Sequence, residues 1–167
     1  MIPHSITDYL ERRGVPFVRR PHPTAVDGQH LAATLRVSGW CVAKSVLVEV
    51  DGRFYLFVLP APEQVSLERA AEVVGGSHAR LAAEEELFEV FPDCEVGAEP
   101  PFGSLYGVEV VLAERLLAQP RLVVRAGSHE EALELGSRDF FDLERPEVGD
   151  FGVRADVAHA IAQELST

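Results

Sequence analysis

One stretch of the sequence organises the rest of the chain: WCVAKSVLVEV, residues 40–50. After its first two residues, side chains alternate in the period of a β-strand. One face of this strand carries Lys44 together with three valines: Val46, Val48 and Val50. Asp51-Gly52 follows, and a second apolar run occupies residues 54–59, which is the pattern most typical of a hairpin. The sequence therefore predicts a β-hairpin with Lys44 near the start of its first strand.

Lys44 is unusual in composition as well as in position. It is the only lysine of the chain, in which fourteen arginines supply the other basic side chains. An ammonium group beside an apolar strand face either extends to water or binds an anion, and a compact, rotatable charge suits a phosphate or a carbonyl oxygen. The alternative is a lysine that lies at a strand end by chance, because isolated charges mark functional sites only statistically.

Length and composition predict the class of protein. A chain of 167 residues that is 47% hydrophobic fits one domain, residues 1–167. Cys41 and Cys94 are the only cysteines, so neither a disulfide framework nor a zinc site is indicated. Because the sequence has no signal-peptide pattern and no apolar run long enough to cross a bilayer, we expect a cytoplasmic protein without a membrane partner.

The net charge of −12 is unevenly distributed along the chain. Residues 1–60 carry a net charge of +2, and the remaining residues carry −14. General affinity for phosphate backbones comes from accumulated Lys and Arg contacts, so this charge argues against non-specific nucleic-acid binding and against a DNA partner. An RNA partner would have to be held locally, through the N-terminal third.

Periodicity and capping residues predict the other elements. Strands are expected at residues 15–20, 42–50, 54–59, 108–112, 121–125 and 131–136. Helices are expected at residues 5–13, 66–74, 83–91 and 155–165, with a helical turn at 139–143. A further helix should run to Leu35 and stop at Ser38-Gly39; Ser5 and either Thr24 or Asp27 are the expected N-caps. The irregular alternation of strands and helices indicates an α+β domain with a mixed sheet.

Motifs for the common catalytic chemistries are absent from the sequence. It has no nucleophile elbow, phosphate-binding loop or zinc-binding helix motif, and its histidines lack ligand spacing, so we expect neither a cofactor nor a metal ion. A cysteine nucleophile is disfavoured as well.

Two glycine-containing segments are candidates for binding a substrate. The segment 96–107 has three glycines and two prolines, and it could present backbone N–H groups as a carbonyl clamp or serve only as a connection. The histidine of Gly127-Ser128-His129 could orient a substrate amine or hydroxyl, or lie on the surface.

The order of these motifs resembles the YbaK/prolyl-tRNA synthetase associated domain family from about Pro3 to the C-terminus. The resemblance rests on Thr24-Ala25, Leu31-Ala32, residues 42–46, Asp51-Gly52-Arg53, residues 58–61, the Gly97-x-x-x-Pro101-Phe102-Gly103 element and Ala126-Gly127-Ser128-His129. This family includes free-standing aminoacyl-tRNA deacylases and the insertion editing domain of bacterial prolyl-tRNA synthetases.

The resemblance implies a single α+β domain with a mixed, barrel-like six-stranded sheet flanked by helices. It also implies hydrolysis, in trans, of the ester bond of a mischarged tRNA, which would serve translation fidelity. The implied catalytic residues are Lys44, Gly97 and His129. The implied substrate-binding residues are Thr24, Ser45, Pro101, Phe102, Gly103, Gly127 and Ser128. The partner would be the 3′ end of a mischarged aminoacyl-tRNA, with an aminoacyl-tRNA synthetase as a second candidate.

Two positions depart from the family pattern. Ala113 stands where many members have an aspartate, and Glu99 stands inside the glycine-proline element where small polar residues are common. A charge at Glu99 could change which amino acid is accepted; a small pocket would select Ala, Cys, Ser or Thr, as in editing of the tRNA(Pro) type. The alternative is a non-catalytic module that binds an aminoacyl group, a nucleotide or a protein on the same fold.

Overall fold

The computed structural model describes residues 1–156 and residue 164. Its helices are α1 (His4–Arg12), α2 (Gly28–Leu35), α3 (Leu67–Val73), α4 (Glu84–Val90) and α5 (Ser137–Glu144). Its strands are β1 (Val18–Pro21), β2 (Val42–Val50), β3 (Arg53–Pro60), β4 (Glu63–Val65), β5 (Ala79–Leu81), β6 (Glu109–Ala113), β7 (Arg121–Arg125), β8 (Glu131–Gly136), β9 (Glu147–Gly149) and β10 (Gly152–Arg154). Short 3-10 helices occupy Gly39–Cys41, Gly103–Tyr106 and Glu114–Ala118.

Strand β2 pairs with neighbours on both of its edges. One edge pairs antiparallel with β3, while the other pairs parallel with β7 at its start and antiparallel with β5 at its end. The sheet order is β1-β8-β7-β2-β3-β6-β9, with β5 beside β2, and β4 and β10 form a separate two-stranded sheet. The predicted α+β class and mixed sheet are confirmed. The large sheet has eight strands because the three-residue strands β5 and β9 join the six that the sequence predicts.

The predicted hairpin is confirmed. Asp51 and Gly52 both have positive φ, 50° and 87°, as a two-residue type I′ connection requires. The Asp51 carboxylate also accepts hydrogen bonds from the backbone N–H groups of Ser77 and His78, each at 2.9 Å. The turn that joins β2 to β3 therefore also holds the segment that leads into β5.

Side chains on the two faces of β2 enter different apolar clusters. Ala43 and Leu47 join a large cluster that includes residues of α1 and α5. The opposite face is covered by two smaller clusters: one beneath α2, which includes Val42, and one beneath α3, which includes Val48. Lys44 shares this second face and lies between the two smaller clusters, where it is half-buried.

Three local expectations are wrong. Helix α1 begins at His4 after Pro3, and the Ser5 hydroxyl donates to Asp93 at 2.6 Å instead of capping the helix. Helix α2 ends at Leu35 as predicted, but its C-cap is Arg36 in the left-handed conformation instead of Ser38-Gly39. The single helical turn expected at residues 139–143 is the middle of the eight-residue helix α5.

Two predicted N-caps are confirmed, whereas most of the predicted terminal helix is not described by the structure. Asp27, one of the two expected caps, caps α2, and Ser66 caps α3 as expected. The predicted terminal helix at residues 155–165 lies outside the described residues, apart from Ala155, Asp156 and Glu164. Within the described chain, we find no helix with the length and apolar character needed to cross a bilayer.

A buried polar network ties α1 to α5. The Tyr9 hydroxyl donates to Glu144 at 2.7 Å, and the other oxygen of that carboxylate accepts from the Ser104 N–H at 2.9 Å and hydroxyl at 3.0 Å. Burial, followed by the hydrogen bond to Glu144, raises the pKa of Tyr9 to about 12. The protonated phenol is therefore favoured by the folded state.

The change Tyr9→Phe should lower the free energy of unfolding by about 1–2 kcal/mol at pH 7, because a buried carboxylate loses a donor. The contribution of the phenol is complete below its unfolded pKa of about 10 and is lost as pH rises towards 12. Urea unfolding at several pH values should thus show the gap between wild type and variant closing over this interval. Tyr55→Phe is the control, and an equal loss from that change would contradict the role of the network.

Candidate functional site

A pocket of about 400 Å³ opens on the side of the sheet that carries α2 and α3. Its walls come from the start of α2, the first residues of β2, the segment after β3, the loop after α4 and the end of β7. The lining residues are Val26, Asp27, Gly28, Gln29, Val42, Ala43, Lys44, Ser45, Ala61, Gln64, Gly97, Glu99, Arg125 and Ala155. The pocket therefore contains Lys44, Ser45 and Gly97 of the residues that the sequence predicts for the site.

Strand register places two cations at this pocket. The parallel ladder between β2 and β7 pairs Val42 with Val123 and Ala43 with Val124. One step further along each strand are Lys44 and Arg125, which alternation places on the same face of the sheet. Both residues line the pocket.

Lys44 is held in a partly desolvated position. Its Nζ donates to the Ala61 carbonyl at 3.3 Å, and no carboxylate of the described chain forms a salt bridge with it. Burial lowers the pKa of Lys44 below its ordinary 10.5, against an opposing effect of the Asp27 and Glu63 charges. The ammonium therefore retains capacity to donate to a ligand in the pocket.

Arg125 joins β7 to the segment that precedes α2. This side chain is only 5% exposed, and its Nη2 donates to the carbonyls of Ala25 and, at 3.2 Å, Asp27. Burial lowers the pKa of Arg125. Its Nη1 has no hydrogen-bond partner among the described residues. Arg125 is not among the residues that the sequence predicts for the site; the available signal was an arginine at the end of the otherwise apolar run Leu122-Val123-Val124.

The start of α2 closes one side of the pocket. Asp27 caps the helix and accepts from the backbone N–H of His30 at 2.8 Å, while its other carboxylate oxygen contacts His30 Nδ1 at 2.7 Å. The backbone hydrogen bond from His30 is the main reason that the pKa of Asp27 is lowered. A Cβ atom at Gly28 would lie 2.8 Å from the Ala61 Cβ, so the helix approaches the segment after β3 very closely.

The Gly97 loop forms another wall. Gly97 has φ of +88°, and its N–H donates to Glu99 Oε1 at 2.9 Å. The Gly127 N–H donates to the Ala98 carbonyl at 2.8 Å, which fixes the loop against the following turn. The expectation that this loop presents unbonded backbone donors is therefore wrong at Gly97, because the neighbouring carboxylate takes that N–H.

His129 lies behind this wall and does not line the pocket. Its Nε2 is 2.9 Å from the Val96 carbonyl oxygen, and its backbone N–H donates to Glu95 at 3.0 Å. Its Cε1 would lie 3.4 Å from a Cβ atom at Gly97. The histidine thus supports the Gly97 loop from outside the pocket.

The other predicted binding residues lie away from the pocket lining. Thr24 is exposed and donates to Glu130 at 3.3 Å. Pro101, Phe102 and Gly103 are buried; the Phe102 ring packs near Tyr9 and Phe140.

Gly127 and Ser128 are also buried outside the pocket. Gly127 packs against Pro3 and Cys94, and the Ser128 hydroxyl accepts from the Met1 ammonium at 3.3 Å and the Glu130 N–H at 3.1 Å. These residues build the loops that carry the site.

The cysteines are poor nucleophiles. Burial raises the pKa of Cys94 to about 12, and it also raises the pKa of Cys41. Both thiols therefore stay protonated at neutral pH.

The matching family model describes an aminoacyl-tRNA editing domain and covers residues 22–143. Among proteins with curated descriptions, none matches this sequence. A hypothetical protein, APE2540, superposes with a TM-score of 0.81 at 22% identity, over 89% of this chain and 99% of that one. A candidate trans-editing enzyme for prolyl-tRNA synthetase superposes with a TM-score of 0.78 at 24% identity, over 90% of this chain and 96% of that one.

These two structures support the fold, while the family model covers the segments that contribute Lys44, Gly97 and Arg125. The chain belongs to the aminoacyl-tRNA editing domain family.

Proposed function

We propose that this protein is a trans-acting deacylase that hydrolyses the ester bond of mischarged aminoacyl-tRNA. The observation that carries the proposal is the pocket in which the half-buried Lys44 ammonium and the Arg125 guanidinium lie at the end of one strand ladder. A pocket with two cations suits the 3′ end of tRNA, which brings a phosphate and an ester carbonyl close together. The whole chain, residues 1–167, would act as a single editing domain in the cytoplasm.

The proposed reaction uses water as the nucleophile. The water oxygen bonds to the carbonyl carbon, the bond from that carbon to the ribose oxygen breaks, and a proton passes to the ribose oxygen. The products are the free amino acid and tRNA with its terminal hydroxyl restored. Lys44 stabilises negative charge at the carbonyl oxygen or holds the terminal phosphate, while the neighbouring ribose hydroxyl assists the water. This route needs neither a protein nucleophile nor a metal ion.

The size of the pocket favours small aminoacyl groups. A volume of about 400 Å³ must hold part of the terminal nucleotide as well as the amino acid. We therefore propose Ala, Cys, Ser or Thr on tRNA(Pro)-type substrates. Larger side chains are excluded by steric hindrance, but small ones differ in binding by only about 1–3 kcal/mol.

A partner synthetase would compensate for the acidic surface. Two of the basic residues in the N-terminal third, Arg19 and Arg20, pair with Glu131 at 2.9 Å and with Glu134 at 2.6 Å. These ion pairs reduce the charge available to attract an RNA backbone. Recruitment by an aminoacyl-tRNA synthetase would supply the missing affinity.

Replacement of Lys44 by alanine should lower kcat/KM for deacylation by about 100-fold, because a charge that stabilises the transition state is removed. The measurement is hydrolysis of tRNAs charged with Ala, Cys, Ser and Thr. The control is Arg69→Ala, which removes one exposed positive charge on α3 and should leave the rate unchanged. Tight retention of substrate without turnover by wild type would instead favour the binding-module alternative.

The dependence on pH should distinguish a charged anchor from a general base. Burial lowers the pKa of Lys44 below 10.5, so activity that needs the ammonium falls as pH rises through this lowered value. In Lys44→Arg, any remaining activity should persist to higher pH because the guanidinium stays charged. Initial rates corrected for spontaneous ester hydrolysis would show this. An activity that rises with deprotonation of Lys44 would rule out the anchoring role.

His129 is proposed to act by positioning the Gly97 loop. His129→Ala should lower kcat/KM by about tenfold, whereas His129→Gln should keep most of the activity, since an amide N–H can replace the bond to the Val96 carbonyl. Steady-state kinetics of the two variants check this. If the glutamine variant is as inactive as the alanine variant and both lose a limb of the wild-type pH profile, the histidine acts instead as an acid or base.

A further inference from the structure

Glu99 is a buried carboxylate on the pocket wall. The residue lines the pocket and is 6% exposed, and its Oε1 accepts the Gly97 N–H at 2.9 Å. Within the described residues, no lysine or arginine forms a salt bridge with it. Residues 157–163 and 165–167 contain neither of these residue types. In the part of the chain that the structure describes, Glu99 therefore has no lysine or arginine as counter-charge.

Two other buried glutamates have a counter-charge or several hydrogen-bond donors. Glu63 has Arg115 at 3.4 Å, and Glu144 accepts three hydrogen bonds from Tyr9 and Ser104. Burial of a carboxylate costs free energy unless charge or hydrogen bonds compensate. A cation that enters the pocket would offset this cost at Glu99.

The carboxylate of Asp27, although it also lines the pocket, is less suited to this task. Both of its oxygens contact His30, and the residue is exposed. The carboxylates whose charges act on Lys44 are Asp27 and Glu63, and those that act on Arg125 are Asp27 and Glu95. Glu99 is therefore not among the carboxylates whose charges act on the two cations.

We propose that Glu99 binds the free α-ammonium of the aminoacyl group, which makes the pocket selective for esters with an unblocked amine. The inference rests on the proposed function of this pocket. An aminoacyl ester carries its ammonium one carbon away from the carbonyl. When the carbonyl lies between Lys44 and the Gly97 loop, the ammonium reaches the carboxylate that is bonded to Gly97. N-acylated esters lose the positive charge and place an acyl group against this wall.

The test uses ligands that cannot be hydrolysed. The probes are 3′-alanylamino-3′-deoxyadenosine, which has an amide in place of the ester, and its N-acetyl derivative. Calorimetric titration is carried out with wild type, Glu99→Gln and the control Glu89→Gln, which alters an exposed residue of α4. Glutamine at position 99 keeps an oxygen that can accept the Gly97 N–H, so the loop is preserved while the charge is removed.

Wild type should bind the free-amine probe at least about tenfold more tightly than the N-acetyl probe. Glu99→Gln should lose about this factor for the free amine alone, and Glu89→Gln should behave as wild type. Equal affinity of wild type for both probes, no binding of either, or an unchanged ratio in Glu99→Gln would overturn the inference. Equal affinity of wild type for the two probes overturns the inference even if the variant fails to fold.

The two proposals can fail separately. Selective binding of the free-amine probe without hydrolysis of any aminoacyl-tRNA supports the role of Glu99 and refutes the deacylase. Equal hydrolysis of N-acetylated and free aminoacyl-tRNA supports the deacylase and refutes the role of Glu99.

Discussion

The pairing of β2 on both edges is the constraint on which the rest of the structure depends. Because β3 holds one edge and β7 and β5 share the other, the register of this strand is specified from both sides. A slip of one residue would move Lys44 into the large apolar cluster and its valine neighbours away from α3. The same pairing with β7 brings Arg125 to the position beside Lys44. Strand register, and not loop conformation, thus fixes the positions of the two cations of the site.

The sequence predicts those parts of the fold that local chemistry determines. Asp51-Gly52 predicts the hairpin because a type I′ turn requires two residues that accept positive φ, and the six longer strands carry an alternation that can be recognised. The three-residue strands are too short to show a period. Their position depends on pairing partners that are distant in sequence, such as β5 with the far end of β2.

The site is predictable to a smaller extent, for two physical reasons. Lys44 can be recognised from the sequence because it is the only lysine of the chain and lies on a strand with a clear apolar alternation. Arg125 is one of fourteen arginines, and its position beside Lys44 follows only from the parallel register of β2 and β7. The bond from Gly97 to Glu99 depends on loop conformation, which no periodicity encodes. Resemblance predicts a functional role for the Gly97 element, but it does not show that the glycine N–H is already bonded.

The contact between Gly28 and Ala61 lies in the wall of the pocket. With a Cβ position only 2.8 Å from the Ala61 Cβ, the first residue of α2 rests directly on the segment after β3. Glycine and alanine, the two smallest residue types, therefore allow this close approach of the helix to the segment after β3. A methyl group added at Gly28 would displace either the start of α2 or the segment after β3, so it would reshape this wall while the charged groups stay where strand register puts them. Divergence within such a fold need not alter its chemistry.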